Sequence, residues 1–203
     1  MVWTDCDEYA RTASPGNGRI ANWRLHQASL KMSDPRYQDI PASAIPEVTD
    51  DDGTRARIIC GEFWGKRGPV EGVAADPNYL DISVAPGQRK RLKVETTRNA
   101  FAYVFAGSGT FRDASEPRAV LTEQAAETDA APVYDVSNHS LVLFDRGDEI
   151  TVQAGDEGIR FLLVSGKPIE EPVAWYGPIV MNTQEQLRQA MAELQTGAFI
   201  KHR

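Results

Sequence analysis

The chain has 203 residues, 41% hydrophobic and 25% charged, with a net charge of -7. That size and composition suit one globular domain or two small ones and exclude wholesale disorder. No apolar run approaches the roughly 18 residues of a membrane helix, and the opening Met1-Val2-Trp3-Thr4-Asp5 is not a secretory leader. The acidic balance argues against direct nucleic-acid binding, because phosphate recognition needs a basic face. The densest basic stretch, Arg89-Lys90-Arg91-Leu92-Lys93, reads as the solvated side of a strand. Two cysteines, Cys6 and Cys60, give neither a disulfide framework nor a CxxC pair, which points to a reducing, cytoplasmic setting.

Taken in chain order, residues 1–22 are polar and broken by Ser14-Pro15-Gly16-Asn17-Gly18, the pattern of a mobile arm. Residues 23–54 carry Pro35, Pro41 and Pro46, which exclude a helix and predict an extended linker packed on the domain. It ends in a turn at Asp50-Asp51-Asp52-Gly53. Short strands follow. Arg55 to Phe63 alternates around Ala56, Ile58 and Cys60, and Asn78 to Ala85 around Leu80, Ile82 and Val84. Pro86-Gly87 supplies a tight turn. Arg89 to Glu95 alternates basic residues with Lys90, Leu92 and Val94. Ala100 to Phe105 is apolar on both faces, as in a buried strand. Residues 112–138, rich in Ala, Glu, Asp, Thr and Pro, read as a long inserted surface loop. Ser140 to Phe144, Glu149 to Gln153 and Ile159 to Val164 complete the strands, with turns at Gly147-Asp148 and Gly155-Asp156. This rhythm predicts an all-β sandwich or barrel. The period then changes. Thr183-Gln184-Glu185-Gln186 is a capping box, and Leu187, Ala190, Met191 and Leu194 follow at helical spacing until Gly197. The spacing predicts a helix over about 183–196, whose apolar stripe must be buried on its own domain or on a partner.

Three blocks in order point to a family. They are Lys31-Met32-Ser33-Asp34-Pro35-Arg36-Tyr37-Gln38-Asp39-Ile40 with Ile45-Pro46, then Arg57-Ile58-Ile59-Cys60-Gly61-Glu62 with Gly68-Pro69-Val70, then Gly166-Lys167-Pro168-Ile169-Glu170-Glu171-Pro172 with Trp175-Tyr176-Gly177-Pro178 and Val180-Met181-Asn182-Thr183. From about Trp23 to Phe199 the chain resembles the pirins, which are bicupins. The resemblance covers their linker and C-terminal cupin. It implies a single cupin-type, jelly-roll-like β-sandwich over 55–203 with a C-terminal helix, and no N-terminal cupin in this chain. In pirins that other half holds the metal, usually iron, through His-x-His-x-x-x-Glu and a later His. Quercetin dioxygenase activity and redox-dependent transcriptional co-regulation are linked to that metal.

Laid on this sequence, the cupin pattern puts its ligands at Lys93, Glu95, Asn99 and near Gly158, so Glu95 alone could bind a metal. A non-haem iron site needs about two imidazoles and a carboxylate. His26 and His139 are the remaining weak candidates, His202 lying in the terminal tail. The expectation is therefore no catalytic residue and no cofactor, with iron only if the chain is a pirin-type dioxygenase or a truncated form of one. A small apolar ligand would meet Tyr79, Asp81, Phe101 and Tyr103, unless these simply fill the core. The expected partner is a second copy, or a separate cupin or other protein, docked on Leu187, Met191 and Leu194 of the helix.

Overall fold

The computed structural model describes residues 28–30, 38–71, 75–112, 118–121, 135–177 and 179–199. The expected arm at 1–22, Cys6, His26, His202, most of the first sequence block and most of the 112–138 insertion lie outside the described residues. Two compact units are present, the larger spanning Ile40–Gly72 and Asp76–Pro168, the smaller built chiefly on Ile169–Arg203.

The larger unit is antiparallel throughout its named strands. The strands are β1 (Glu47–Thr49), β2 (Arg55–Cys60), β3 (Glu62–Phe63), β4 (Lys66–Arg67), β5 (Asn78–Val84), β6 (Arg89–Lys93), β7 (Asn99–Arg112), β8 (Arg118–Leu121), β9 (Val136–Ser137), β10 (Ser140–Phe144) and β11 (Glu149–Gly166). Their order is β1-β2-β5-β11-β7-β10-β8, with β6 added to β11 and β9 to β7. The linker is not wholly irregular: β1 pairs with β2, and the acidic turn that follows closes with Gly53 at φ +82°. The predicted Pro86-Gly87 turn is present, with the Gln88 N–H donating to the Ala85 carbonyl. Trp64 and Gly65, both at positive φ, turn β3 back into β4, a hairpin the sequence reading missed.

The chief departure from expectation concerns β11. Glu149–Gln153 and Ile159–Val164 are not two strands joined by a turn; they are one long bent strand. Before the bend, β11 has β6 and β7 as neighbours; after it, β5 and β7. The break falls between Ala154 and Ile159, where β7 supplies only Ser108 opposite the inserted residues of β11. Such a bulge turns a strand from one sheet direction to another. Two glycines make it possible. Gly107 and Gly158 have φ +71° and +80°, and a Cβ on Gly107 would lie 2.1 Å from the Gly158 carbonyl oxygen.

The core sits inside this bent ribbon. Ile58, Leu80, Ile82, Val104, Val152 and Phe161 are among its fully enclosed members. Phe111 packs edge-on against Phe144 and Phe161, with ring centroids 5.5 and 5.3 Å apart.

The smaller unit contains the hairpin β12 (Ala174–Tyr176) and β13 (Ile179–Met181), then α1 (Gln184–Gln195). The helix begins as predicted: Thr183 accepts from the Gln186 N–H, and the Gln186 side chain accepts from the Thr183 N–H. It ends as a Schellman motif, with Ala198 N–H to the Glu193 carbonyl and Gly197 N–H to the Leu194 carbonyl. Leu187 and Ala190 bury against Ala174 and Ile179, so part of the apolar stripe is covered within its own unit, while Leu194 stays exposed.

Two alanine substitutions separate conformational strain from close approach. Gly87 has φ +67° with nothing within 4 Å of an added Cβ. Gly87→Ala should cost about 1 kcal/mol. Gly107→Ala adds a backbone collision and should cost at least about 2 kcal/mol more, read by urea unfolding.

Candidate functional site

In a cupin the place to look for chemistry is the barrel interior beside β6. Leu92 is enclosed, Lys90 and Val94 are partly buried, and Arg89, Arg91 and Lys93 are exposed. The inward positions are therefore Lys90, Leu92 and Val94. This corrects the alignment made from sequence: Lys93 points outward, and Glu95 lies exposed just beyond the strand. Glu95 is also committed to Arg98, 3.0 Å from its Nε. Asn99 is an exposed strand start, and Gly158 is the bend glycine. His139 occupies the β9–β10 turn at φ +66°, its N–H donating to the Val104 carbonyl. Among the described residues, no group of three or more His, Cys, Asp or Glu side chains could share a metal. The donor set along β6, an ammonium and two aliphatic chains, does not fit iron, which wants imidazole and carboxylate.

Lys90 is held instead by carboxylates. Its Nζ donates to Asp50 and, at 2.9 Å, to Asp52, and lies 5.2 Å from the centre of the Trp64 ring. Partial burial opposes the ammonium, but the hydrogen bonds and charges of Asp50 and Asp52 outweigh it and raise its pKa above the ordinary value. The Lys90 hydrogen bond, reinforced by Thr54, holds the Asp52 carboxyl well below the usual carboxylate range. This is a clasp between the β1–β2 turn and β6. It leaves no lysine lone pair near neutral pH for base or Schiff-base chemistry.

A second correction concerns the expected ligand residues. Core positions on β5 and β7 are Leu80, Ile82, Ala102 and Val104. Tyr79, Asp81, Phe101 and Tyr103 alternate with them, so they lie on the opposite face of the sheet and line no interior pocket. The pairings Arg57↔Asp81, Leu162↔Asp81 and Leu162↔Tyr103 place that outer face across four strands. Asp81 is only 2% exposed. It accepts a two-pronged contact from Arg160, at 2.9 and 2.6 Å, and Arg57 lies 3.8 Å away. The Arg160 guanidinium also sits 4.9 Å from the Phe105 ring centre. These residues form a brace in which two guanidiniums hold one buried carboxylate. Phe101, at 37% exposure, and Leu143, at 43%, lie towards the edge of this face. Sequence reading singled out Asp81 and missed its arginine partner, because 79 positions separate them.

Cys60 behaves as read from the sequence. It is buried, its Sγ lies 3.3 Å from the Val70 carbonyl, and burial pushes its thiol pKa up. In the smaller unit, Leu187 is enclosed and Met191 partly buried, whereas Leu194 is 45% exposed. The sequence reading missed the hairpin's own display: Val173, Trp175 and Tyr176 are all more than half exposed. The Trp175 indole N–H is satisfied by the Gly177 carbonyl at 2.7 Å, which fixes its ring at the surface.

Comparison with known proteins bears on what this arrangement is for. The Pirin C-terminal cupin domain profile matches residues 79–200. A Thermoplasma acidophilum protein, provisionally named a quercetin 2,3-dioxygenase, is 33% identical over 95% of this chain and 69% of its own length. The chain belongs to the pirin family. A pirin-like protein from Caulobacter vibrioides is 35% identical over 90% of the chain and 60% of its own length. The crystal structure of a quercetin 2,3-dioxygenase from Acinetobacter baumannii superposes with TM-score 0.69 at 25% identity, covering 85% of this chain and 54% of that one. The chain thus spans between about half and two thirds of the length of these pirin relatives. No helix among the described residues is long and apolar enough to cross a membrane.

The clasp predicts an acid-side signature. A carboxyl whose folded pKa is lowered adds stability above its ordinary value, and that stability is lost as pH falls through the lowered one. Between about pH 4 and pH 2, the folded chain should lose the Asp52 contribution. Lys90→Met should flatten that part of the stability-against-pH curve, measured by chemical unfolding at each pH.

Proposed function

We propose that this pirin-family chain is a non-catalytic cupin that acts as a protein-interaction module. The observation that carries this reading is the identity of the inward residues of β6. Lys90 is neutralised by Asp50 and Asp52, and Leu92 belongs to an apolar core. Among the described residues, such a lining offers no set of ligands for a metal. The exposed Val173, Trp175, Tyr176 and Leu194 supply the binding side of the proposal. Aromatic residues of this kind are enriched at interface anchors. The partner is a second copy of the chain or a separately encoded cupin.

A second reading is kept because of what the relatives are named. Two relatives carry the provisional name quercetin 2,3-dioxygenase, and two structural neighbours carry the name itself. On that reading, the chain would contribute the ligand-free half of a metal-dependent dioxygenase, and the metal would be held elsewhere in the assembly.

Metal content separates the two. After anaerobic exposure to iron(II) and removal of the excess, the module reading expects less than about 0.1 iron per chain. About one tightly held iron, with quercetin turnover, would overturn it. The interaction itself is tested by sedimentation. If the chain self-associates through the smaller unit, Trp175→Ala with Leu194→Glu should weaken the dimer at least about tenfold, because apolar anchors dominate such contacts. A dimer insensitive to both substitutions would move the interface elsewhere.

A further inference from the structure

Three segments of the larger unit meet at one side chain, Lys90 of β6. Its Nζ donates to Asp50 and Asp52 of the β1–β2 turn and lies 5.2 Å from the ring centre of Trp64, at the tip of the β3–β4 hairpin. The two carboxylates divide their oxygens between two tasks. In Asp50, Oδ1 accepts from the Asp52 N–H at 2.8 Å and Oδ2 accepts from Lys90. In Asp52, Oδ1 accepts from the Thr54 N–H at 3.0 Å and Oδ2 accepts from Lys90. The shape of the turn and its attachment to β6 therefore rest on the same two groups. The hairpin tip is conditional in another way. Trp64 has φ +44°, a backbone state uncommon for a bulky residue and kept only where the surroundings impose it. Those surroundings include Phe63, with ring centroids 4.7 Å apart, the Lys90 ammonium and the rim of the apolar core. The base of the hairpin is fixed. The Gly68 N–H donates to the Gly61 carbonyl at 2.9 Å, and a Cβ on Gly68 would lie 2.6 Å from the Ile59 backbone.

We propose that the β1–β2 turn and the tip of the β3–β4 hairpin form a two-part strap over the core, fastened through Lys90 and opening as one unit while the core strands stay paired. Val48 and Trp64 are the apolar side chains that the two parts lay on the core, and both are only partly buried. Lys90 is the group that both parts touch. An ammonium suits this place because two of its donors can go to carboxylates while its charge also attracts an indole face. Loss of the carboxylates should therefore be felt at the hairpin. A partly buried ammonium without counter-ions swings toward water on its flexible stem and leaves the indole. The strained tip then loses one of the contacts that hold it. Opening would uncover Phe63 and the apolar rim beside β6, so the strap is a gate on that side of the core.

Native-state hydrogen exchange on the full chain tests this. The amides of Gly53 and Thr54 report the turn, those of Phe63 to Lys66 the hairpin tip, and those of β5, β7 and β11 the core. Asp50→Asn with Asp52→Asn keeps a side-chain oxygen for each turn hydrogen bond and removes only the charges on Lys90. This pair should speed exchange at least about tenfold in the turn and, by a similar factor, at the hairpin tip, with the core amides changed less than about threefold. Lys90→Met should reproduce that pattern, and Lys90→Arg, which keeps the cation, should restore most of the protection. If Lys90→Met does not fold, the carboxamide pair carries the test alone. Three results would overturn the proposal. Acceleration confined to the turn would make the two parts independent. Equal acceleration in β5, β7 and β11 would mean that the whole unit opens. No acceleration in either part would mean that Lys90 fastens nothing.

Discussion

The close approach of Gly107 to Gly158 is the constraint on which the larger unit depends. β7 and β11 form its longest pairing, and they must bend together at one place. A side chain on Gly107 would collide with the Gly158 carbonyl, and both glycines stand at positive φ. The bend lets one strand serve two neighbours in turn, β6 before it and β5 after it. That handover lets both stretches of β11 face the same core. The apolar residues of β2, β5, β6, β7, β10 and β11 then share one interior.

That closure determines what the interior can do. With Phe111 and Phe161 packed edge to face and Leu92 facing in, the core beside β6 is largely hydrocarbon. The polar groups that remain are matched locally. Lys90 is clasped by Asp50 and Asp52, and Asp81 by Arg160 on the far face of the sheet. A buried carboxylate without such a partner would be expensive. These pairs complete a scaffold. Among the described residues of the smaller unit, Val173, Trp175 and Tyr176 remain exposed.

The smaller unit follows the same economy on a smaller scale. α1 carries an apolar stripe that, from sequence, could have faced a partner. The hairpin supplies Ala174 and Ile179 to meet Leu187 and Ala190. What is left exposed is Leu194 and the outer residues Val173, Trp175 and Tyr176. The side chains best placed to bind another molecule are therefore mostly on the hairpin rather than on the helix.

Local rules were legible in the sequence because they act over a few residues. Period-two alternation identified the inward sets Ala56-Ile58, Leu80-Ile82-Val84 and Lys90-Leu92. Thr183 with Gln186, and Gly197, marked both ends of the helix. Other features depended on residues distant in sequence. Whether Gly155-Asp156 was a turn or a bulge depended on what β7 placed opposite it. Whether Phe101 and Tyr103 faced in or out depended on which of two apolar faces the core enclosed, since both faces of Ala100–Phe105 are apolar. Arg160 found Asp81 through a contact made only after the strands had paired. Sequence fixes which side chains share a face; the tertiary fold decides which face is buried, because burial is a property of what packs against it.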